Sequence, residues 1–280
     1  MHGLIQSSLL VAIKGVVALA VLLIAGNFFW NKYQESSYYA YENPYCNIAV
    51  VPIDGGIAAV PDTAGFTVAL DRVLADLRRA EFDPYTEGIL VRIDSPGGTP
   101  VASGAIADAL RRSSKPVAAL IRDTGTSGGY LVASGADTII AAPSSDVGSI
   151  GVTFSYVETA GELAKEGKRF IELVSAPFKE VGNPDRPLSD KEKQIFAKYL
   201  KTIHEDFVAQ VARNRNLPLA EVEKIADGSS MLGAQALPLG LIDILGDQET
   251  AREWFAGALG KEVDFCEPPP LMPVPTTDQV

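Results

Sequence analysis

Short β-rich runs alternate with helical patterns along most of this 280-residue chain, and that alternation narrows the fold more than any other feature. The β-rich runs are 48–53, 88–93, 117–121, 138–141, 150–156 and 169–174. Helical patterns occupy 67–81, 101–113, 128–134 and 158–166 between them. Parallel strands cannot be joined by a tight turn, so strands separated by helices close into βα crossover units. The expected class is α/β with a mostly parallel sheet. A longer helix is expected over 190–214, where Ile195, Phe196, Tyr199, Leu200, Ile203, Phe207, Val208 and Val211 recur at three-to-four spacing. Ser189 stands ahead of it as an N-cap, with Asp190 and Glu192 in the first turn. No internal duplication accompanies the pattern.

The ends differ from this body. Leu9 to Trp30 is apolar apart from Lys14, and its roughly 22 positions reach the thickness of a hydrocarbon core. Lys14 lies near enough to one end to snorkel, and Phe28, Phe29 and Trp30 form an aromatic belt at the other. A cleaved signal peptide is the rival reading, with Lys14 as its charged region and Val16–Ala25 as its apolar run; no A-x-A site follows. The expected organisation is a short segment 1–8, a transmembrane anchor 9–30 and a Tyr-rich stalk 31–45. A folded domain 46–266 and a Pro-rich, disordered tail 267–280 follow. Such an anchor leaves its short end in the cytoplasm and places the folded domain outside, on the cell (inner) membrane.

The formal net charge is −11 and no run of Lys or Arg exceeds two residues. Phosphate binding needs a concentrated basic face, so nucleic acid is excluded as a partner. Cys46 and Cys266 are the two cysteines, and neither stands near a histidine. A zinc site needs three or four N/S ligands, which rules that metal out at this stage. Both cysteines flank the folded body, and a disulfide between them is open in an oxidising compartment.

Two strand-to-glycine-to-helix junctions carry the chemistry. "GILVRIDSPGGTPVASGAIADAL" passes through Pro96, Gly97 and Gly98, and "PVAALIRDTGTSGGYLVASGAD" through Gly125 to Gly129. In a parallel sheet both turns emerge at the carboxyl ends of their strands, where ligands bind. Glycines there leave amides free at a helix start, able to hold an oxyanion; they also serve simply as tight turns. Gly125–Gly129 fits the G-x-S-x-G pattern of a nucleophilic serine at Ser127.

A nucleophilic serine needs a proton acceptor. Of two histidines, His2 precedes the apolar segment and His204 lies mid-helix beside Glu205 and Asp206. A triad through His204 with Asp146, Asp185 or Asp190 describes an esterase of the α/β-hydrolase type. Lysine is the other base, and burial must then bring its pKa from about 10.4 to near 7, at about 4 kcal/mol. Lys165, Lys168, Lys191, Lys193 and Lys198 stand in polar helical settings. Lys179 instead follows a β-rich run in the Pro/Gly loop "VSAPFKEVGNPDRPLS"; spacing alone reads it as a surface lysine.

Five ordered motifs resemble the signal peptide peptidase A family of membrane-anchored serine proteases. They are "RIDSPGG" at 92–98, "GTSGGYLVASGAD" at 125–137, "GSIGV" at 148–152, "FKEVGNPDRPLSDKEK" at 178–193 and "IADGSSMLGAQALPLGLID" at 225–243. The resemblance implies a ClpP/crotonase-like α/β fold and a Ser–Lys dyad that works without a cofactor. Carried over by position, it makes Ser127 the nucleophile, Lys179 the general base and Ser149 the hydroxyl that orients the lysine. The amides of Gly98 and Gly128 become the oxyanion hole. "GAQALPLGLID" becomes a closing stretch that packs rather than reacts. Thr126 and Leu131 depart from the family's usual small and aromatic residues. The chain resembles the family's short form, which implies a homo-oligomeric ring with serine and lysine from neighbouring subunits. Its implied substrates are signal-peptide remnants and other apolar peptides at the membrane. A vestigial scaffold on the same fold is the competing reading.

Overall fold

The computed structural model describes residues 26, 46–60, 62 and 66–268. The expected anchor and stalk, Gly26 apart, lie outside the described residues, as does the tail from 269 onward. Among the described residues no helix is long and apolar enough to cross a membrane. They fall into two units. Asn47–Asp264 forms the larger. In the smaller, Cys46 is joined by a disulfide to Cys266, which ends a two-residue strand, Phe265–Cys266.

The larger unit is built on parallel strands. β1 (Ile48–Asp54) pairs with β4 (Gly88–Ser95), β4 with β5 (Val117–Thr126), and β5 with β6 (Thr138–Ala141). β9 (Ile244–Leu245) completes the row beside β6. Between β1 and β4 lie β2 (Gly56–Ala58) and β3 (Thr67–Ala69), which pair with each other, and then helix α1 (Leu70–Phe82). Helix α2 (Pro100–Arg111) crosses from β4 to β5, and α3 (Gly128–Ser134) from β5 to β6. The βα units expected from the alternation are therefore present.

Both sheet faces are covered. Val51, Ile53, Val91, Ile93, Ala119 and Ile121 alternate onto the face that carries α1, α2 and α3, and all are buried. On the opposite face, helix α8 (Gln248–Leu259) brings Phe255 against Gly88 of β4. A β-carbon on Gly88 would stand 2.7 Å from the Phe255 ring, so only glycine lets the helix approach this closely. Near-continuous apolar strands follow from this two-sided burial.

β5 forks, and the fork shapes the site. Its first half pairs with β6, while Thr124, Gly125 and Thr126 pair with Asp146, Val147 and Gly148 of β7 (Asp146–Gly148). β7 pairs antiparallel with β8 (Ser230–Leu232). These three-residue strands were not anticipated, being too short to carry a period.

Two expected strands are corrected. Residues 150–156 and 169–174 form no ladder; only α4 (Ala160–Lys165) interrupts a long irregular stretch, where a helix over 158–166 was expected. No residue between Gly151 and Asp190 is buried. Valine and aromatic residues favour a pleated surface only where a neighbour strand packs on it, and none is present. The helix expected from 67 is also corrected: its first three residues are β3.

The long helix α5 runs Asp190–Arg215, about 39 Å at 1.5 Å per residue. A capping box starts it, with Ser189 accepting from the Glu192 amide and Glu192 answering the Ser189 amide. Its apolar stripe is covered only toward the C-terminus, at Phe207, Val208 and Val211; Ile195 and Tyr199 remain exposed.

Candidate active site

Ser127 sits between the end of β5 and the first turn of α3, with φ 51° and ψ −124°. A non-glycine residue in that region is held there by its surroundings. Its amide donates to the Gly148 carbonyl at 2.7 Å, extending the β5–β7 ladder by one bond. Ser149 leaves β7 in the same way, with φ 52°. Two adjacent parallel strands thus each end in a serine with a left-handed backbone. The Ser127 side chain is partly exposed and its Oγ has no hydrogen-bond partner among the described residues.

The other junction packs directly on this turn. A β-carbon on Gly97 would lie 2.8 Å from the Ser127 β-carbon and 2.9 Å from the Gly128 nitrogen, and Gly97 itself adopts φ 117°. Gly97 contributes this close approach unnoticed in the sequence, where it read as a turn glycine. The neighbouring Gly98 forms a parallel bridge with Ile57: Ile57 N–H donates to Gly97 O and Thr99 N–H to Ile57 O, both at 2.8 Å. In such a bridge the central residue's own amide points away from its partner. The Gly98 N–H therefore faces outward, and a β-carbon on Gly128 would stand only 2.9 Å from its nitrogen. Neither the Gly98 nor the Gly128 amide has an acceptor among the described residues. The fully buried Ser103 hydroxyl backs onto Gly128 and likewise lacks a partner there.

Helix α3 is fixed from below. Tyr130 is wholly buried and donates its hydroxyl to the Leu241 carbonyl at 2.9 Å; burial pushes its phenol well above the ordinary value. Asp243 accepts from the Ile139 amide and pairs with Arg215 at 2.6 Å. The closing "GLID" motif is thus a packing device, in line with its expected part.

A cleft of about 420 Å³ opens beside Ser127. Gly98, Gly128 and Ser149 line it, together with Leu131, Val152 and, from α5, Ile203, Asp206, Phe207 and Gln210. The α5 set follows helical i, i+3, i+4, i+7 spacing, which in sequence cannot be told from a core stripe. His204 falls between these positions and does not line the cleft. Ser149 donates its hydroxyl to the Gly228 carbonyl at 3.0 Å.

Lys179 is elsewhere. It lies exposed in consecutive turns within the irregular stretch, its amide donating to the Ala176 carbonyl at 3.1 Å, and it is not among the residues lining the cleft. Arg186 organises that region: it donates to both Glu192 oxygens at 2.8 and 2.9 Å, to Glu172 at 2.7 Å and to the Glu180 carbonyl at 3.0 Å. The Arg186 bond, followed by those from Ser189, holds the Glu192 carboxyl down at about 2. Among the expected site residues, then, Ser127, Ser149, Gly98 and Gly128 meet in one cleft within the chain, and Lys179 does not join them.

Residues 109–262 match the model of peptidase family S49. A candidate protease of Synechocystis sp. is 36% identical over 222 residues, covering 79% of this chain and 77% of that protein. A candidate signal peptide peptidase SppA of Enterococcus faecium is 32% identical, over 64% of this chain and 53% of its own length. Protease 4 of Salmonella typhi is 31% identical, over 79% of this chain but 37% of its own length. The matches thus span most of the first relative and about half or less of the other two. The chain belongs to peptidase family S49 and is a serine protease.

Proposed function

We propose that this chain is a membrane-anchored endopeptidase in which Ser127 attacks the peptide bond and Lys179 of a neighbouring subunit serves as the base. The observation that carries the reading is the pairing of a strained, partly exposed serine with two acceptor-free amides, those of Gly98 and Gly128. Neutral Lys179 takes the Ser127 hydroxyl proton as Oγ bonds to the substrate carbonyl carbon. The two amides hold the resulting oxyanion, each worth about 3 kcal/mol. The lysine ammonium then protonates the leaving amine as the C–N bond breaks, and water hydrolyses the acyl-serine. Ser149 supplies a second hydroxyl at the cleft, with which the lysine amine is oriented.

Supply of Lys179 from a neighbour accords with its exposure and with the uncovered apolar residues around it. Phe154 stacks on Phe196 at 4.7 Å, yet Phe154, Phe178 and Tyr199 stay exposed. A homo-oligomeric ring would bury them. The apolar run 9–30 would fix the enzyme to the cell (inner) membrane with its catalytic domain extracytoplasmic. Apolar peptides and signal-peptide remnants gather there, and one relative's name points to the same substrates.

Cleavage of an apolar reporter peptide by the wild type, Ser127→Ala, Lys179→Ala and a mixture of the two variants tests the reading. Each variant alone should lose at least about 10⁴-fold, and the mixture should recover activity at sites formed from intact halves. Normal cleavage by both single variants overturns the reading.

A further inference from the structure

Asp206 is the one ionisable side chain lining the Ser127 cleft among the described residues, whose other walls there are apolar or neutral. Four apolar side chains, Leu131, Val152, Ile203 and Phe207, line the same cleft. Its carboxylate is held in place: Oδ2 accepts from Gln210 Nε2 at 2.7 Å, one helical turn along α5. A neutral amide positions the charge without cancelling it.

Nor does the helix cancel it. Positions within i±3 and i±4 of Asp206 are Thr202, Ile203, Ala209 and Gln210, none of them cationic. Lys201, a nearby cation on α5, pairs with Glu205 at 3.6 Å. Among the described residues Asp206 has no ion-pair partner. A carboxylate held on an otherwise uncharged cleft wall leaves a negative potential where substrate must lie.

From this geometry we propose that Asp206 is a specificity residue that selects peptides combining an apolar residue at the Ser127 cleft with a nearby organic cation. The proposal rests on the serine-protease site described above. Lysine and arginine side chains and a free peptide α-ammonium share this chemistry. Because the carboxylate is exposed, the expected preference is modest, about three- to fivefold.

The test measures binding of labelled apolar peptides to the full-length chain carrying Ser127→Ala, at low ionic strength, by fluorescence anisotropy. One N-acetylated peptide contains a lysine, its twin contains acetyl-lysine, and a third has the neutral side chain with a free N-terminus. Expected is a three- to fivefold preference for a cationic peptide over the neutral twin, collapsing to parity when Asp206→Asn is added. Tighter binding of the first peptide identifies a side-chain cation, and of the third a terminal ammonium. Glu223→Gln removes one charge elsewhere on the surface and should preserve the preference. Parity in the parent, survival of the preference in Asp206→Asn, or equal loss in Glu223→Gln overturns the proposal. Because binding is read without turnover, a failure of Ser127 as nucleophile appears separately, as hydrolysis persisting in Ser127→Ala.

Discussion

The turn around Ser127 and the loop around Lys179 are built on opposite principles. Around Ser127, backbone meets backbone: strands on both sides, a helix start above and glycines where any β-carbon would collide. Around Lys179 no residue from Gly151 to Asp190 is buried, and polar bonds order the stretch instead, foremost those of one guanidinium that gathers Glu172, Glu180 and Glu192. Packing of the first kind fixes atoms to fractions of an ångström, because interiors are dense and neighbours cannot yield. A charge clamp on an open stretch sets the chain path but leaves its outer surface to whatever covers it. The difference teaches that packing within one chain brings Ser127, Gly98 and Gly128 to one cleft, while Lys179 is left exposed on an open loop outside it.

The same substitution made on both sides would expose this contrast most sharply. In Gly98→Ala the new β-carbon would stand 2.6 Å from the Ile57 carbonyl carbon, displacing the outward amide. Peptide cleavage should fall on the order of 10²- to 10³-fold, with a lowered Tm. Gly161→Ala, in α4 with nothing within 4 Å of its β-carbon, should instead leave Tm unchanged or raise it slightly. Equal damage at both positions would break the comparison.

A smaller effect is expected from Arg186→Gln. With Lys179 as the proposed base, releasing the loop beside it should reduce kcat by roughly 10- to 100-fold, since small misplacements of such a group are costly. Its effect on Tm should be slight, because the loop contributes nothing to the core. A large drop in Tm with kcat unchanged would show that the clamp serves folding instead.

The smallest expected effect is in pH. Glu192 is held at about 2, chiefly by its bond from Arg186, against an ordinary value of 4.5. A depressed carboxyl stabilises the folded form fully above its unfolded value and loses that contribution as pH falls toward the folded one. Protection of residues 172–192 from hydrogen exchange should therefore hold above pH 4.5 and decline between there and about 2. Glu192→Gln should remove that dependence. A decline centred near pH 6 would assign the ordering to some other group.

Much of this architecture was legible beforehand where burial and period agree. The runs at 88–93 and 138–141 and the helices near 101–113 and 128–134 correspond to β4, β6, α2 and α3, because two-sided burial demands continuous apolar strands. The runs at 150–156 and 169–174 carried the same residue types yet form no ladder, since propensity needs a neighbour to pack against. On α5 the apolar stripe announced a buried face over its whole length, but only its C-terminal part is covered.

For the site, the sequence by itself determined the chemistry on offer: a serine among glycines, a second glycine turn, and no histidine outside a helix or the N-terminus. Residue type and spacing decide those possibilities, because a turn with φ near 90° or above admits little but glycine. Only the tertiary structure decided which groups meet. The forked β5 sets Ser149 beside Ser127, the Ile57 bridge turns the Gly98 amide outward, and α5 lays Asp206 along the cleft. Those contacts join residues far apart in the chain, and local preferences carry no record of them. Lys179 marks the boundary: its loop alone read it as a surface lysine, the family resemblance made it the expected base, and within the folded chain it does not line the serine's cleft.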